Sequence, residues 1–277
     1  MPEWVQNFLD VSSHSDHNFA SMIWDICMDI TMSLFGVTPQ TYSNAMWELV
    51  AKQLYPYFLG IGAVLLNLFF LTGLIRQSIN LRDNMTTEMV IELLIKVIIA
   101  NFVMVQGLTL MGDILGISSA LAEKLKVTSG YSIFANDLDA GAVFFYVIFG
   151  LVYIGGATIS GISIVLVVLQ RFLNVYMCIL TAPIALSTWA GGNGLEHTAY
   201  AWIKSFLVSS FQIALIALIL RLGAMMMNAP DVFNFDGTAM GFVDGFAESF
   251  ISMITMFFMV AAVKSSSTWL EKTFNLH

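Results

Sequence analysis

Residues 55–75 read YPYFLGIGAVLLNLFFLTGLI. No charge interrupts the stretch, and a helix of about 20 such residues crosses roughly 30 Å of hydrocarbon. Tyr55 and Tyr57 stand at one end as interfacial anchors, and Arg76 and Arg82 close the other. Composition extends this transmembrane reading to the whole chain. Of 277 residues, 58% are hydrophobic and 11% are charged, against about 25% charged in a soluble domain. Mean hydropathy is +0.80. A soluble core of this size does not hide such an apolar surplus; lipid does. The fold class expected is all-α, a polytopic helical membrane protein. It has about five transmembrane helices, a re-entrant or broken segment, and amphipathic N-terminal helices.

Further spans follow from the same criterion. Thr86 or Thr87 caps a helix with Glu88 in its first turn, leading into a span at 89–113. Residues 116–127 are amphipathic, and 128–139 form a polar loop. Residues 140–169 are apolar and Gly-rich. Gln170 and Arg171 interrupt them before a second apolar run at 172–190, which holds Pro183 and stops at Gly191-Gly192-Asn193-Gly194. Spans at 205–227 and 247–263 flank an acidic loop. Upstream, 18–35 reads as an amphipathic helix lying in the interface or on a partner. Phe19, Met22, Ile23, Ile26, Ile30 and Leu34 form its apolar face, opposite Ser21, Asp25 and Asp29. A short helix after Thr38 carries Pro39 in its first turn, and Glu48 and Lys52 follow as an i,i+4 pair. The domains are then 1–54, extracytoplasmic amphipathic helices; 55–263, transmembrane; and 264–277, a cytoplasmic amphipathic tail.

The N-terminal residues have no basic region ahead of an apolar run, so the first spanning helix is expected to direct insertion. There are only two cysteines, Cys27 and Cys178, and the second lies in an apolar segment, which argues against a disulfide framework. The net charge of -8, from 19 acids and 11 bases, argues against nucleic-acid binding by the monomer.

Orientation forks at 172–190. If every run crosses, the charges around Arg76 and Arg82 fall on the wrong side. If 172–190 re-enters at Pro183, then Arg76, Arg82, Arg171, Lys204, Lys264 and Lys272 share the cytoplasm. The positive-inside rule favours this second topology, N-terminus out and C-terminus in. Non-helical backbone at membrane depth needs protein or water around it, so re-entry implies an assembly or a cavity.

The span at 89–113 is the most informative. Glu92, Lys96, Gln106 and Asp113 fall within an arc of about 100° on a helical wheel. A charge at mid-bilayer costs at least about 2.5–3.5 kcal/mol, so the stripe is expected to face a lumen or another subunit. The plainer alternative is a Glu92–Lys96 pair near one interface with Asp113 marking the other. Arg221 is a candidate for an intramembrane ion pair, with Asp113 as partner, or it snorkels to the headgroups. Gly156–Ser160 and Ala157–Gly161 have the small-residue spacing of close helix packing. The 17 methionines fit apolar filling better than a copper path. His14, Asp16 and His17 read as a solvated segment rather than a metal site. No catalytic, metal or cofactor motif is found: Gly191–Gly194 lacks the Lys-Ser/Thr ending of a phosphate loop. A non-enzymatic role is expected, with any ATP energy supplied by a partner.

Three stretches carry a family resemblance: LFFLTGLIRQSINLRDNMTTEMVIELLIKVIIANFVM (68–104), RFLNVYMCILTAPIALST (171–188) and AWIKSF (201–206). Across about 55–270 the chain resembles the polytopic inner-membrane channel subunits of type IV secretion and conjugation systems, the TrbL-like conjugal transfer family. The resemblance implies a homo-oligomeric ring in the bacterial cytoplasmic membrane, N-terminus out and C-terminus in. It implies as partners the system's secretion ATPases, small inner-membrane subunits and bitopic scaffold proteins. It implies as translocated substrate single-stranded DNA with its relaxase, or protein. The chain lacks the large soluble insertion or long tail of some relatives, which leaves contacts with distal envelope parts open. Two other classes remain: a secondary transporter or small-ion channel, which suits a broken helix but lacks an inverted repeat, and a non-conducting membrane assembly factor.

Overall fold

The computed structural model describes residues 19–80, 87–127, 140–191, 194–227 and 240–274. Among them there is no strand. The helices in chain order are α1 (Phe19–Ser33), α2 (Pro39–Tyr42), α3 (Asn44–Glu48), a π-helical segment (Leu49–Leu54), α4 (Tyr55–Asn80), α5 (Thr87–Leu125), α6 (Ala140–Ser187), a 3-10 turn (Thr188–Gly191), α7 (Glu196–Met227) and α8 (Met240–Thr273). Five of the described stretches are long and apolar enough to cross a membrane: Asn44–Ile75, Leu94–Leu125, Ile148–Gly191, Glu196–Met226 and Ser249–Thr273. The chain is an all-α polytopic helical protein.

Local chemistry sets several boundaries. Thr38 caps α2 in a capping box with Thr41, and Pro39 opens the helix where its missing N–H costs nothing. Ser43 accepts from the Met46 amide and caps α3. Lys52 meets Glu48 at 2.6 Å, as their spacing predicts.

One expectation is corrected and two are placed in the fold. First, the apolar runs 140–169 and 172–190 belong to one 48-residue helix, α6, running through Gln170 and Arg171. Both residues are good helix formers, and the Arg171 guanidinium finds hydrogen-bond partners, so the polar pair need not break the helix. Pro183 also sits inside α6, whose α-helical part ends at Ser187 and tightens into the 3-10 turn. Proline removes one backbone donor, and only one further turn follows it. Second, α1 carries an inward face beside the apolar face expected to lie in the interface or on a partner, which stays open within the chain. Trp24, Cys27, Met28, Thr31, Met32 and Phe35 are buried, while Met22, Ile26 and Ile30 are 53%, 47% and 45% exposed. The helix is apolar on two sides, and the bulky Trp24 side packs inward. Third, residues 116–125 form the end of α5 and residues 264–273 the end of α8.

Two compact units form. The first holds the described residues of Met1–Gly36, Ala122–Leu169 and Ala214–Ser266. In it Tyr153 and Ser252 share a buried hydrogen bond of 2.9 Å. A Cβ at Gly161 would stand 2.9 Å from Cys27 of α1, and one at Gly156 would stand 3.1 Å from Phe257 of α8. The second holds the described residues of Val37–Leu121, Gln170–Ile213 and Ser267–His277. There Gly62 and Gly73 let α4 lie against Pro183, Ala190 and Gly191. The Tyr55 hydroxyl donates to the Met104 carbonyl at 2.8 Å, and the Tyr176 hydroxyl to the Pro39 carbonyl at 2.6 Å.

Candidate functional site

The candidate surface lies on α5. Burial there is one-sided: Ala100, Met104, Met111, Leu115, Ser118 and Ala122 are buried, at helical spacing. The other side is open and begins as an apolar strip, with Ile95, Ile99 and Phe102 exposed. It then turns polar at Gln106, Thr109 and Asp113, and becomes apolar again at Ile117 and Leu121. Gln106 and Asp113 straddle the middle of the candidate span Leu94–Leu125. Only 22% of the apolar window of this span is buried within the chain, and 17% of that of Asn44–Ile75, against 50% for Glu196–Met226. The first two spans therefore offer the most open surface. Alongside, Pro56, Tyr57, Gly60, Ile61, Val64 and Leu65 line an open apolar groove of about 470 Å³ on α4.

The polar stripe expected from sequence divides into two parts. Lys96 reaches Glu92 at 3.1 Å and also Glu196, in the first turn of α7, at 3.5 Å. This triad ties two helices together, and the Lys96 and Glu196 side chains are only 30% and 26% exposed. Gln106 and Asp113 are exposed instead, and Asp113 has no ion pair among the described residues. Arg221 is also exposed and has no ion pair among the described residues of its own unit. Its place near the end of α7 suits a side chain that snorkels to headgroups.

The residues of the expected break are placed as follows. Pro183 and Gly191 are buried against α4, and Gly192 lies outside the described residues. The small residues Gly156, Ala157, Ser160 and Gly161 are all buried. His14, Asp16 and His17 also lie outside the described residues. No group of His, Cys, Asp and Glu among the described residues has the makings of a metal site.

One polar centre has no counterpart in the sequence reading. Arg171 is fully buried. Its Nε donates to the Ser209 carbonyl at 3.2 Å, and its Nη2 donates to the Ser210 carbonyl at 3.2 Å and to the Ser118 hydroxyl at 3.5 Å. The guanidinium thereby links α5, α6 and α7. Arginine within an apolar run was the only available signal; the serine and carbonyl partners follow no periodic pattern.

No known protein family, curated protein or solved structure matches the chain.

Proposed function

We propose that the chain is a channel or scaffold subunit of a type IV secretion machine in the bacterial cytoplasmic membrane. It would help pass a DNA–protein or protein substrate across that membrane. The observation that carries this reading is the polar band on the open face of α5. Gln106 and Asp113 lie exposed near the middle of an apolar span. Facing lipid, a charge there would cost at least about 2.5–3.5 kcal/mol. Facing a neighbouring copy or a water-filled lumen, it costs far less. A polytopic subunit whose polar face is completed by its neighbours is what a homo-oligomeric ring requires.

The resemblance to TrbL-like subunits supplies the rest. Its three stretches fall on α4 and α5, on the C-terminal part of α6 with the turn after it, and on the start of α7. Five candidate spans agree with the number it implies. With an odd number of crossings the termini lie on opposite sides, and the positive-inside rule puts the N-terminus out and the C-terminus in. The partners are the secretion ATPases, small inner-membrane subunits and bitopic scaffold proteins of the same system. No catalytic role is assigned.

Cysteine crosslinking tests the reading. In a Cys27→Ala, Cys178→Ala background, Gln106→Cys and Asp113→Cys are expected to crosslink to a second copy or to a translocating substrate in native membranes. Labelling of both positions by lipid-phase reagents alone, with no crosslink, overturns it. Substrate uptake by the purified chain alone in liposomes would favour the transporter class instead.

A further inference from the structure

The Arg171 centre is incompletely satisfied. Guanidinium remains charged in any protein environment and carries five N–H donors. Nε and Nη2 use theirs on the Ser209 and Ser210 carbonyls and the Ser118 hydroxyl. Nη1 is buried and has no hydrogen-bond partner among the described residues. The Ser210 hydroxyl, on the residue whose carbonyl receives Nη2, is likewise buried without a partner. Ser118 is different: its hydroxyl donates to the Leu115 carbonyl at 3.0 Å and only accepts from Arg171. Two residues that are hydrogen-bonded to each other therefore each leave a buried donor unused.

The charge is also unbalanced locally. No ion pair among the described residues reaches Arg171. An uncompensated buried charge is strongly destabilising. The carbonyl and hydroxyl oxygens around Arg171 satisfy hydrogen bonds without neutralising it. A neutral acceptor at Nη1 would do the same. An anion would complete the hydrogen bonds and the charge balance together. Arg171, Ser118 and Ser210 are all fully buried, which restricts the occupant to a small ion.

We propose that Arg171 and Ser210 bind one small monovalent anion of the halide class, held by the Nη1 N–H groups and the Ser210 hydroxyl. The ion acts as a structural ligand at the junction of α5, α6 and α7. This inference is independent of the secretion reading and stands or falls separately from it.

The test uses the full chain in lipid nanodiscs, with thermal unfolding followed by tryptophan fluorescence. Sodium chloride replaces sodium gluconate at constant ionic strength. Tm is expected to rise with chloride and saturate, and bromide is expected to substitute. Arg171→Gln is expected to remove the response. Ser210→Ala is expected to raise the half-saturating chloride concentration about tenfold, for the loss of one hydrogen bond to a charged ligand. Ser265→Ala, at an exposed site on α8, is expected to leave it unchanged. A wild-type Tm indifferent to chloride overturns the proposal. If Arg171→Gln does not fold, Ser210→Ala decides: a wild-type half-saturation overturns the site.

Discussion

Gly62 of α4 lies so close to Pro183 of α6 that a Cβ in its place would stand 2.7 Å from the Pro183 carbonyl oxygen and 2.7 Å from its Cβ. The obstacle is backbone and a rigid ring, neither of which can rotate away. Gly62→Ala is therefore expected to push the helices apart and cost about 1–3 kcal/mol, the range for overpacking. Gly60, on the same helix, has nothing within 4 Å of its Cβ position. Gly60→Ala is expected to be neutral or to stabilise by up to about 1 kcal/mol, because alanine is the better helix former. Thermal unfolding of both variants in detergent checks the contrast. A Tm loss as large for Gly60→Ala as for Gly62→Ala would refute it.

Tyr55 makes a second contact that a single atom tests. Its hydroxyl donates to the Met104 carbonyl at 2.8 Å, with both residues buried. Tyr55→Phe keeps the ring and removes the donor, and is expected to cost about 1 kcal/mol. A Cβ on Gly107 would stand 3.0 Å from the same hydroxyl, so Gly107→Ala should disturb the bond. A double-mutant cycle should then give a non-zero coupling, since the two residues touch. Strict additivity of the two changes would show that they act separately.

Tyr55 also marks where sequence reading stops. Its place at the end of an apolar run is legible, and that run does form a helix long and apolar enough to cross a membrane. Its hydroxyl partner on α5 is not, because which carbonyl it meets depends on how two helices pack. The same holds for Arg171. Its polarity reads as an interruption between two segments, yet carbonyls of Ser209 and Ser210, remote in sequence, satisfy part of the guanidinium and α6 continues. On α1 the apolar residues lie on more than one side, so periodicity alone does not choose the buried one. Trp24 inside and Ile26 outside are settled by packing. The Glu92–Lys96 pair is local and legible, whereas the reach to Glu196 is not. Helical angle alone groups the α5 stripe, but neighbouring helices decide that Lys96 is partly covered while Gln106 and Asp113 stay open.

The Lys96 triad leads to a prediction of modest size. Lys96 meets Glu92 and Glu196, but the Glu92 side chain is 67% exposed and that of Glu196 26%. Partly exposed ion pairs contribute roughly 0–1 kcal/mol and weaken with salt. A double-mutant cycle on Lys96→Met and Glu196→Gln is expected to give a coupling below about 1 kcal/mol that shrinks as salt is raised. A larger, salt-independent coupling would mean that the triad is sealed from solvent by something other than this chain.

Cys27 reports on the seat of α1. It is buried, and a Cβ on Gly161 would stand 2.9 Å from both its Cβ and its Sγ. Burial raises the thiol pKa above its ordinary value. The folded chain thus keeps Cys27 protonated at a pH where the unfolded chain begins to lose the proton. The stabilising contribution is complete below the unfolded pKa and disappears as pH rises through the higher folded value. Maleimide labelling of Cys27 near neutral pH is expected to be at least about tenfold slower than that of free cysteine, since the thiolate is the nucleophile. Gly161→Ala should displace α1 and accelerate the labelling. Gly155→Ala should not, because nothing lies within 4 Å of that Cβ position. Equal labelling rates in the two variants would show that α1 is not held at Gly161.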